Sequence, residues 1–193
     1  MTDFPTAWIT GLHRHLRSAV LATESPFSFV QQVQDMGGER WEVTIDVMVR
    51  GFAFEAFANS VINKRRAFHL RLPKAGQPFH VLPDLAVHGA GQSGSTLTVS
   101  GHWYGQPLLP GTMFSIEHLG RHRLHQITAM AEHDPANGTA PVTLQIVPRL
   151  RGAPAAGAVL DFAPRITLRA TGPAPATIGH VVHQFSIEAV EAL

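Results

Sequence analysis

The 193-residue chain contains no cysteine, which excludes disulfide bonds and thiolate metal ligands. Its formal charge of +1 argues against a protein whose main role is to bind nucleic acid through a basic surface. No apolar run approaches the ~20 residues that span a bilayer, and the first residues lack the cationic and apolar segments of a signal peptide. We therefore expect a soluble protein without a membrane span, made in a cytoplasm.

Glycine and proline are frequent instead, with 17 and 14 residues. Both residue types interrupt helices and favour turns, and a hydrophobic content of 45% is sufficient for a buried core. These features predict a globular, mainly β fold with many short strands.

Strict alternation over residues 41–49 predicts the clearest strand of the chain. Its apolar face is expected in the core and consists of Trp41, Val43, Ile45, Val47 and Val49. Its polar face carries Glu42, Thr44, Asp46 and Met48, followed by Arg50. Residues 1–25, in contrast, fit both a helix and a strand.

Residues 53–63 switch to helical spacing and place one apolar stripe on the helix: Phe54, Phe57, Ala58, Val61 and Ile62. The cations of residues 64–66 follow, where they complement the helix dipole; we interpret them as a solvated helix end, with a phosphate or nucleic-acid contact as the alternative. Residues 67–72 alternate again. The sequence therefore predicts a strand–helix–strand unit over residues 41–72.

A second block consists of short β segments without a helix. The predicted strands cover residues 95–103, 113–117, 123–130 and 142–147, with Gly-rich or Pro-rich turns between them. We expect a small β-barrel over 88–150, preceded by a strand and helix region over 1–87. A linker and returning strands are expected over 151–193.

Three histidines lie close together in the chain: His118, His122 and His125. A zinc site needs three or four converging ligands, and His125 has no nearby carboxylate or second cluster in the sequence to complete such a set. Gly120 and the flanking alternation favour a hairpin in which Ile116 pairs with Leu124 and Glu117 with Arg123. We expect neither a metal nor another cofactor.

No catalytic template is found in the sequence. The spacing Gly89-x-Gly91-x-x-Gly94 lacks the helix that follows a dinucleotide-binding loop. A cupin-like enzyme would need a His-x-His plus Glu constellation, which the chain lacks. A carbohydrate-binding module is a further alternative, with Trp103 and Tyr104 as a stacking platform, although buried strand-end aromatics are the favoured interpretation of this pair. We expect that the protein is not an enzyme.

Several segments occur in an informative order. They include GGERW at a strand start, PLLPGTMFSI before an aromatic strand, VPRLRGAP after the β block, and QFSIEAVEAL near the end. Over residues 25–193 the chain resembles the distal tail proteins of long-tailed bacteriophages and related tail-like particles, a class of small tail-tip proteins. Thr112 stands where that family often has Asp, which affects the capping of one turn.

The resemblance implies a belt domain, which is a β-sandwich with one flanking α-helix, plus a small inserted β-barrel. It also implies a hexameric ring in the virion tail tip, assembled in the host cytoplasm. The implied partners are the tail tube protein, the tail hub or tip proteins and the tape measure protein, and DNA only passes through the lumen. A host glycan is a further candidate partner.

A ring needs a surface at which copies meet. A regular strand with an unpaired edge associates with neighbours unless it is covered, and head-to-tail contacts of this kind close into rings. From strand 41–49 we predict a ring interface of Trp41, Glu42, Thr44, Asp46, Met48 and Arg50.

Overall fold

The computed structural model describes residues 1–50, 52–72, 81–133, 140–179 and 181–192. Strands dominate these residues and form two sheets, which confirms the predicted mainly β fold. The first sheet contains β1 Thr2–Asp3, β2 Ile9–Glu24, β3 Gln31–Arg50, β4 Phe68–Arg71, β11 Arg165–Ala170, β12 Ala176–Ile178 and β13 Val182–Glu191. The second contains β5 Asp84–Val87, β6 Gly94–His102, β7 Met113–His118, β8 Arg121–Ile127, β9 Val142–Leu150 and β10 Leu160–Asp161.

The first sheet has the order β1-β4-β11-β13-β3-β2, with β12 also pairing β13. Its helix α1, Ala53–Phe57, continues as a π-helical turn, Ala58–Ile62. A short 3-10 turn, Thr6–Trp8, precedes β2. The helix connects β3 to β4 within one sheet, so the predicted strand–helix–strand unit is confirmed. Phe54 and Ile62 are fully buried, as the stripe predicts, whereas Phe57 is only partly buried.

The predicted strand 41–49 forms the second half of β3, and its alternation is confirmed. All five apolar side chains from Trp41 to Val49 are buried, while Met48 is exposed. The ambiguous first 25 residues contribute β2, which pairs antiparallel with β3 along almost its whole length. The two strands form one long hairpin.

The second sheet closes into a small barrel. Its order is β10-β7-β8-β9-β6-β5, and a bridge between Ala86 and Val159 brings the two end strands together. The Val87 amide donates to the Ala158 carbonyl at 2.9 Å across this seam. The barrel strands therefore run from residue 84 to residue 161, and a short strand lies on each side of the predicted range 88–150.

The barrel packs directly onto the first sheet. The Trp41 indole Nε1 donates to the Leu124 carbonyl at 2.9 Å, and the His122 amide donates to Thr167 Oγ1 at 2.8 Å. Met113 and Leu124 of the barrel are buried in the core of the first sheet. Side chains of the barrel and of the first sheet thus pack together where the two meet.

The β7–β8 hairpin forms as predicted, but its predicted register is wrong by one residue. Ile116 lies opposite Arg123 and Glu117 opposite His122. The cause is the turn, in which Leu119 and Gly120 have φ of 51° and 71°. Two consecutive positive φ values make a two-residue turn of the kind that matches strand twist, whereas the prediction placed Gly120 at the centre of a longer loop.

Candidate interaction surfaces

The β2–β3 hairpin extends well beyond the rest of the first sheet. Strand β13 pairs β3 only from Glu42 to Arg50, so the hairpin segment over residues 19–36 is a two-stranded ribbon, which we call the arm. Nearly every arm residue is exposed, and Phe27 at its tip is 95% exposed. Its exposed large apolar side chains are Val20, Leu21, Phe27, Phe29, Val30, Val33 and Met36. An isolated two-stranded ribbon is marginally stable in water, so this surface favours a binding partner.

The premise of an unpaired edge on strand 41–49 is wrong. Strand β3 is central, because β13 pairs it from Glu42 to Arg50 and β2 pairs it on the other side. The long open edge of the sheet is β2, which ends the strand order opposite the two-residue β1 and spans 16 residues, Ile9–Glu24. The argument that an uncovered edge associates with neighbours therefore applies to β2.

The predicted interface residues do not all share one surface. Trp41 is only 4% exposed and points into the core toward Leu124, so it is not part of the polar face. Glu42, Thr44, Asp46 and Met48 lie on that face, and Arg50 is exposed at its end. Four of the predicted residues are thus neighbours along one face of β3, with Arg50 beyond them.

Most charges of this face are satisfied within the subunit. Glu42 accepts from Arg40 at 2.8 Å and from Arg17 at 3.3 Å, and His15 lies 3.1 Å away. The hydrogen bond from Arg40 is the largest factor that lowers the pKa of Glu42. Asp46 accepts from the Ser186 hydroxyl at 2.8 Å. Met48, which is 42% exposed, is the apolar side chain that this face presents to solvent.

A cavity of about 200 Å³ lies where the β7–β8 turn and the end of β9 meet the end of β13. We call it the inter-sheet cavity. Apolar side chains make up much of its wall: Ile116, Leu119, Pro148, Leu150 and Pro154. The basic side chains at its wall are His118, Arg123, His125, Arg149 and Arg151, and Glu191 is its acidic residue.

His125 is buried in the wall of this cavity, with its ring against Phe114 at 5.7 Å between centroids. Its Nδ1 donates to the Pro148 carbonyl at 2.9 Å, which leaves Nε2 as an acceptor. Nε2 has no hydrogen-bond partner among the described residues. Burial lowers the pKa of His125 to about 4, so the ring is neutral at physiological pH.

Glu191 is the other buried titratable group of the cavity. Burial raises the pKa of its carboxyl group, whereas Arg123, 3.6 Å away, opposes that effect. Arg123 also donates to the Ala192 carbonyl at 2.9 Å, so it is engaged by the C-terminal strand. Arg151 makes no hydrogen bond or ion pair with the described residues.

The three clustered histidines do not converge on one point. His125 faces the cavity, and the His122 ring contacts the His69 ring at 4.9 Å between centroids. His118 lies beside Gly152 at the cavity rim. Across the described ranges, no group of three or more His, Cys, Asp or Glu side chains is placed to hold a metal ion.

The proposed aromatic platform is divided between core and surface. Trp103 is 1% exposed, which confirms that this residue is a buried strand-end aromatic, whereas Tyr104 is 54% exposed. A stacking platform that needs both rings is therefore not present.

Sequence reasoning missed both the arm and the inter-sheet cavity. The alternation on either side of Ser25-Pro26 was a signal for the arm, since two alternating runs that flank a turn indicate a hairpin. The cavity had no local signal, because its residues come from β7, β8, β9 and β13.

No described helix has the length and apolar character needed to cross a membrane. No protein-family model matches the chain, and a search of curated proteins also gave no match.

Proposed function

We propose that this protein is a structural subunit of the tail tip of a long-tailed phage or a related tail-like particle. Copies of the chain form a hexameric ring that joins the tail tube to the hub or tip proteins. The lumen of the ring leaves a path for the tape measure protein and the genome. The β-sandwich with one short helix and the adjoining small barrel agree with the architecture that the sequence resemblance implies.

The observation that carries this proposal is the exposed arm together with the open edge of β2. The arm presents unpaired apolar side chains over residues 19–36, and the edge offers backbone groups along Ile9–Glu24. A lone soluble domain rarely exposes such a ribbon, because it invites uncontrolled association. A closed ring covers one subunit's arm and edge with the next subunit and leaves no free end.

The polar face of β3 is a second proposed ring contact. Met48→Arg tests it most cleanly, since Met48 has no ion pair to lose, whereas Glu42→Arg and Asp46→Arg also break contacts within the subunit. We expect Met48→Arg to weaken assembly without lowering the melting temperature. An unchanged mass would remove this face from the ring.

Light scattering over a wide concentration range tests the proposal in solution. We expect the unmodified chain to assemble, and a variant with residues 20–35 replaced by Asn-Gly to stay monomeric with an intact β spectrum. Ile178→Asp is the matched control, since it removes an exposed apolar side chain outside the arm. A chain that stays monomeric at every concentration, even with the tail tube protein present, would contradict the proposal and favour a β-barrel carbohydrate-binding module.

A further inference from the structure

The inter-sheet cavity and the arm have complementary chemistry. The cavity combines an apolar wall with cations at its rim, and its volume is about 200 Å³. An apolar cavity of about 150 Å³ is enough to hold a benzene molecule, so this cavity is large enough for a phenyl group. Its ligand should therefore offer an aromatic ring close to negative charge.

Two side chains of the cavity wall are available to such a ligand. Arg151 makes no direct ion pair or hydrogen bond with the described part of the chain, and its charge acts on Glu191 in the same wall, so it can also face an incoming carboxylate. The Nε2 atom of His125 is an acceptor without a partner, although the side chain is more than nine-tenths buried. His125 lines the cavity, so a hydroxyl or amide donor of the ligand can bond to this acceptor.

The arm of this chain offers an aromatic ring, negative charge and hydroxyl donors. Phe27 is 95% exposed at the tip, and Ser25 and Ser28 supply hydroxyl donors on either side of it. The arm carries the acids Glu24 and Asp35 and has no Lys, Arg or His between residues 19 and 36. Its charge is thus opposite to that of the cavity rim.

The arm cannot fill the cavity of its own subunit. The base of the arm lies beside that cavity, because the Arg149 amide donates to Glu39 at 2.9 Å. From there the paired strands run about seven residues to the tip, a distance of about 23 Å at about 3.3 Å per residue. Folding back would break the pairs from Val20–Asp35 to Glu24–Gln31. The occupant must come from a second copy.

We infer that the arm tip of one copy inserts Phe27 into the inter-sheet cavity of the next copy, where Arg151 faces the acidic arm and His125 accepts a hydrogen bond. The contact joins different surfaces of identical subunits, so it is head-to-tail and propagates around a ring. This inference rests on the proposed function, because it specifies how the copies of the ring hold one another.

Cross-linking tests the contact directly, because the natural chain has no cysteine. Ser28→Cys places a thiol beside Phe27, and Leu119→Cys places one at the cavity rim. When the two variants are mixed, we expect a short bis-maleimide to join Ser28→Cys to Leu119→Cys. Ser28→Cys mixed with Ile178→Cys is the control and should give no such product, since Ile178 lies on β12 away from the cavity.

Two further variants test the chemistry of the contact. Phe27→Ala should weaken self-association roughly tenfold or more, as expected for a central aromatic anchor, without changing the melting temperature. Phe52→Ala, another exposed phenylalanine, is the matched control. Arg151→Glu should also weaken association, and Glu24→Arg in the same chain should restore it.

The outcomes separate this contact from the ring itself. Assembly with the specific cross-link and with loss in Phe27→Ala supports the arm–cavity contact. Assembly without the cross-link, or with Phe27→Ala as strong as the unmodified chain, overturns the contact and leaves the proposed ring standing. A chain that never assembles overturns both.

Discussion

Acid should destabilise this protein through His125, and the effect can be isolated by replacing that residue with phenylalanine. The folded chain holds His125 as a neutral ring, buried against Phe114, with its pKa lowered from 6.5 to about 4, mainly by burial. In the unfolded chain the same ring is solvated and takes a proton as the pH falls below 6.5. The unfolded state therefore binds more protons between these two pKa values, and stability is lost as the pH falls through that window.

The structure sets the size of this loss. The lowering of the pKa from 6.5 to about 4 corresponds to about 3 kcal/mol in full, since one pKa unit is worth about 1.4 kcal/mol. Between about pH 7.5 and about pH 5, where most carboxylates are still ionised, about 2 kcal/mol of it should appear. That is a large share of the total stability of an ordinary domain.

Urea unfolding at several pH values provides the assay. We compare the unmodified chain with His125→Phe, which keeps an aromatic ring beside Phe114 but cannot titrate. Between about pH 7.5 and about pH 5, the free energy of unfolding should fall by about 2 kcal/mol less in the variant than in the unmodified chain. His88→Gln, a change at an exposed histidine outside the cavity, is the control variant. If the free energy of unfolding changed equally with pH in the unmodified chain and in His125→Phe, the buried, neutral state of His125 would be refuted.

Three other predictions follow from the cores and the histidines. Phe54 is fully buried and contacts the rings of Phe4 and Phe185, so Phe54→Ala should lower the free energy of unfolding by about 3–5 kcal/mol. Phe57→Ala should lower it less, because Phe57 is only partly buried. A loss near zero for Phe54→Ala would place the helix outside the core. Expressed alone, a fragment of residues 82–163 should melt cooperatively. The shorter fragment 88–150 should not, because it omits β5 and β10. A cooperative melt of the shorter fragment would contradict the closure of the barrel. Elemental analysis after dialysis should find no stoichiometric zinc, iron or copper; one metal per chain, lost when His118, His122 and His125 are all changed to Ala, would contradict the hairpin interpretation.

Local sequence patterns predicted those strands and helices in which buried and exposed residues follow one another at a regular spacing. Alternation fixed the inward face of β3, and the helical stripe identified Phe54 and Ile62 as core residues. Both predictions depend only on residues of the same strand or helix. A repeating pattern exists there because one side of the element is buried.

The features that the sequence did not predict depend on partners far apart in the chain or on backbone geometry. Strand β3 continues through Gly37-Gly38, with Gly37 at a φ of 68° and a register shift against β2 between Ser18 and Val20. The edge assigned to β3 is covered by β13, which lies about 140 residues later. A one-residue change in the turn at Leu119 was also enough to shift the register of the β7–β8 hairpin.

Electron microscopy of the purified, negatively stained protein tests the central claim most directly, since the claim concerns the shape that the copies build. The proposed function predicts rings with a central hole and six-fold symmetry, and their loss when residues 20–35 are replaced by Asn-Gly. Isolated particles of a single subunit's size, with no ring at any concentration or with the tail tube protein added, would contradict it.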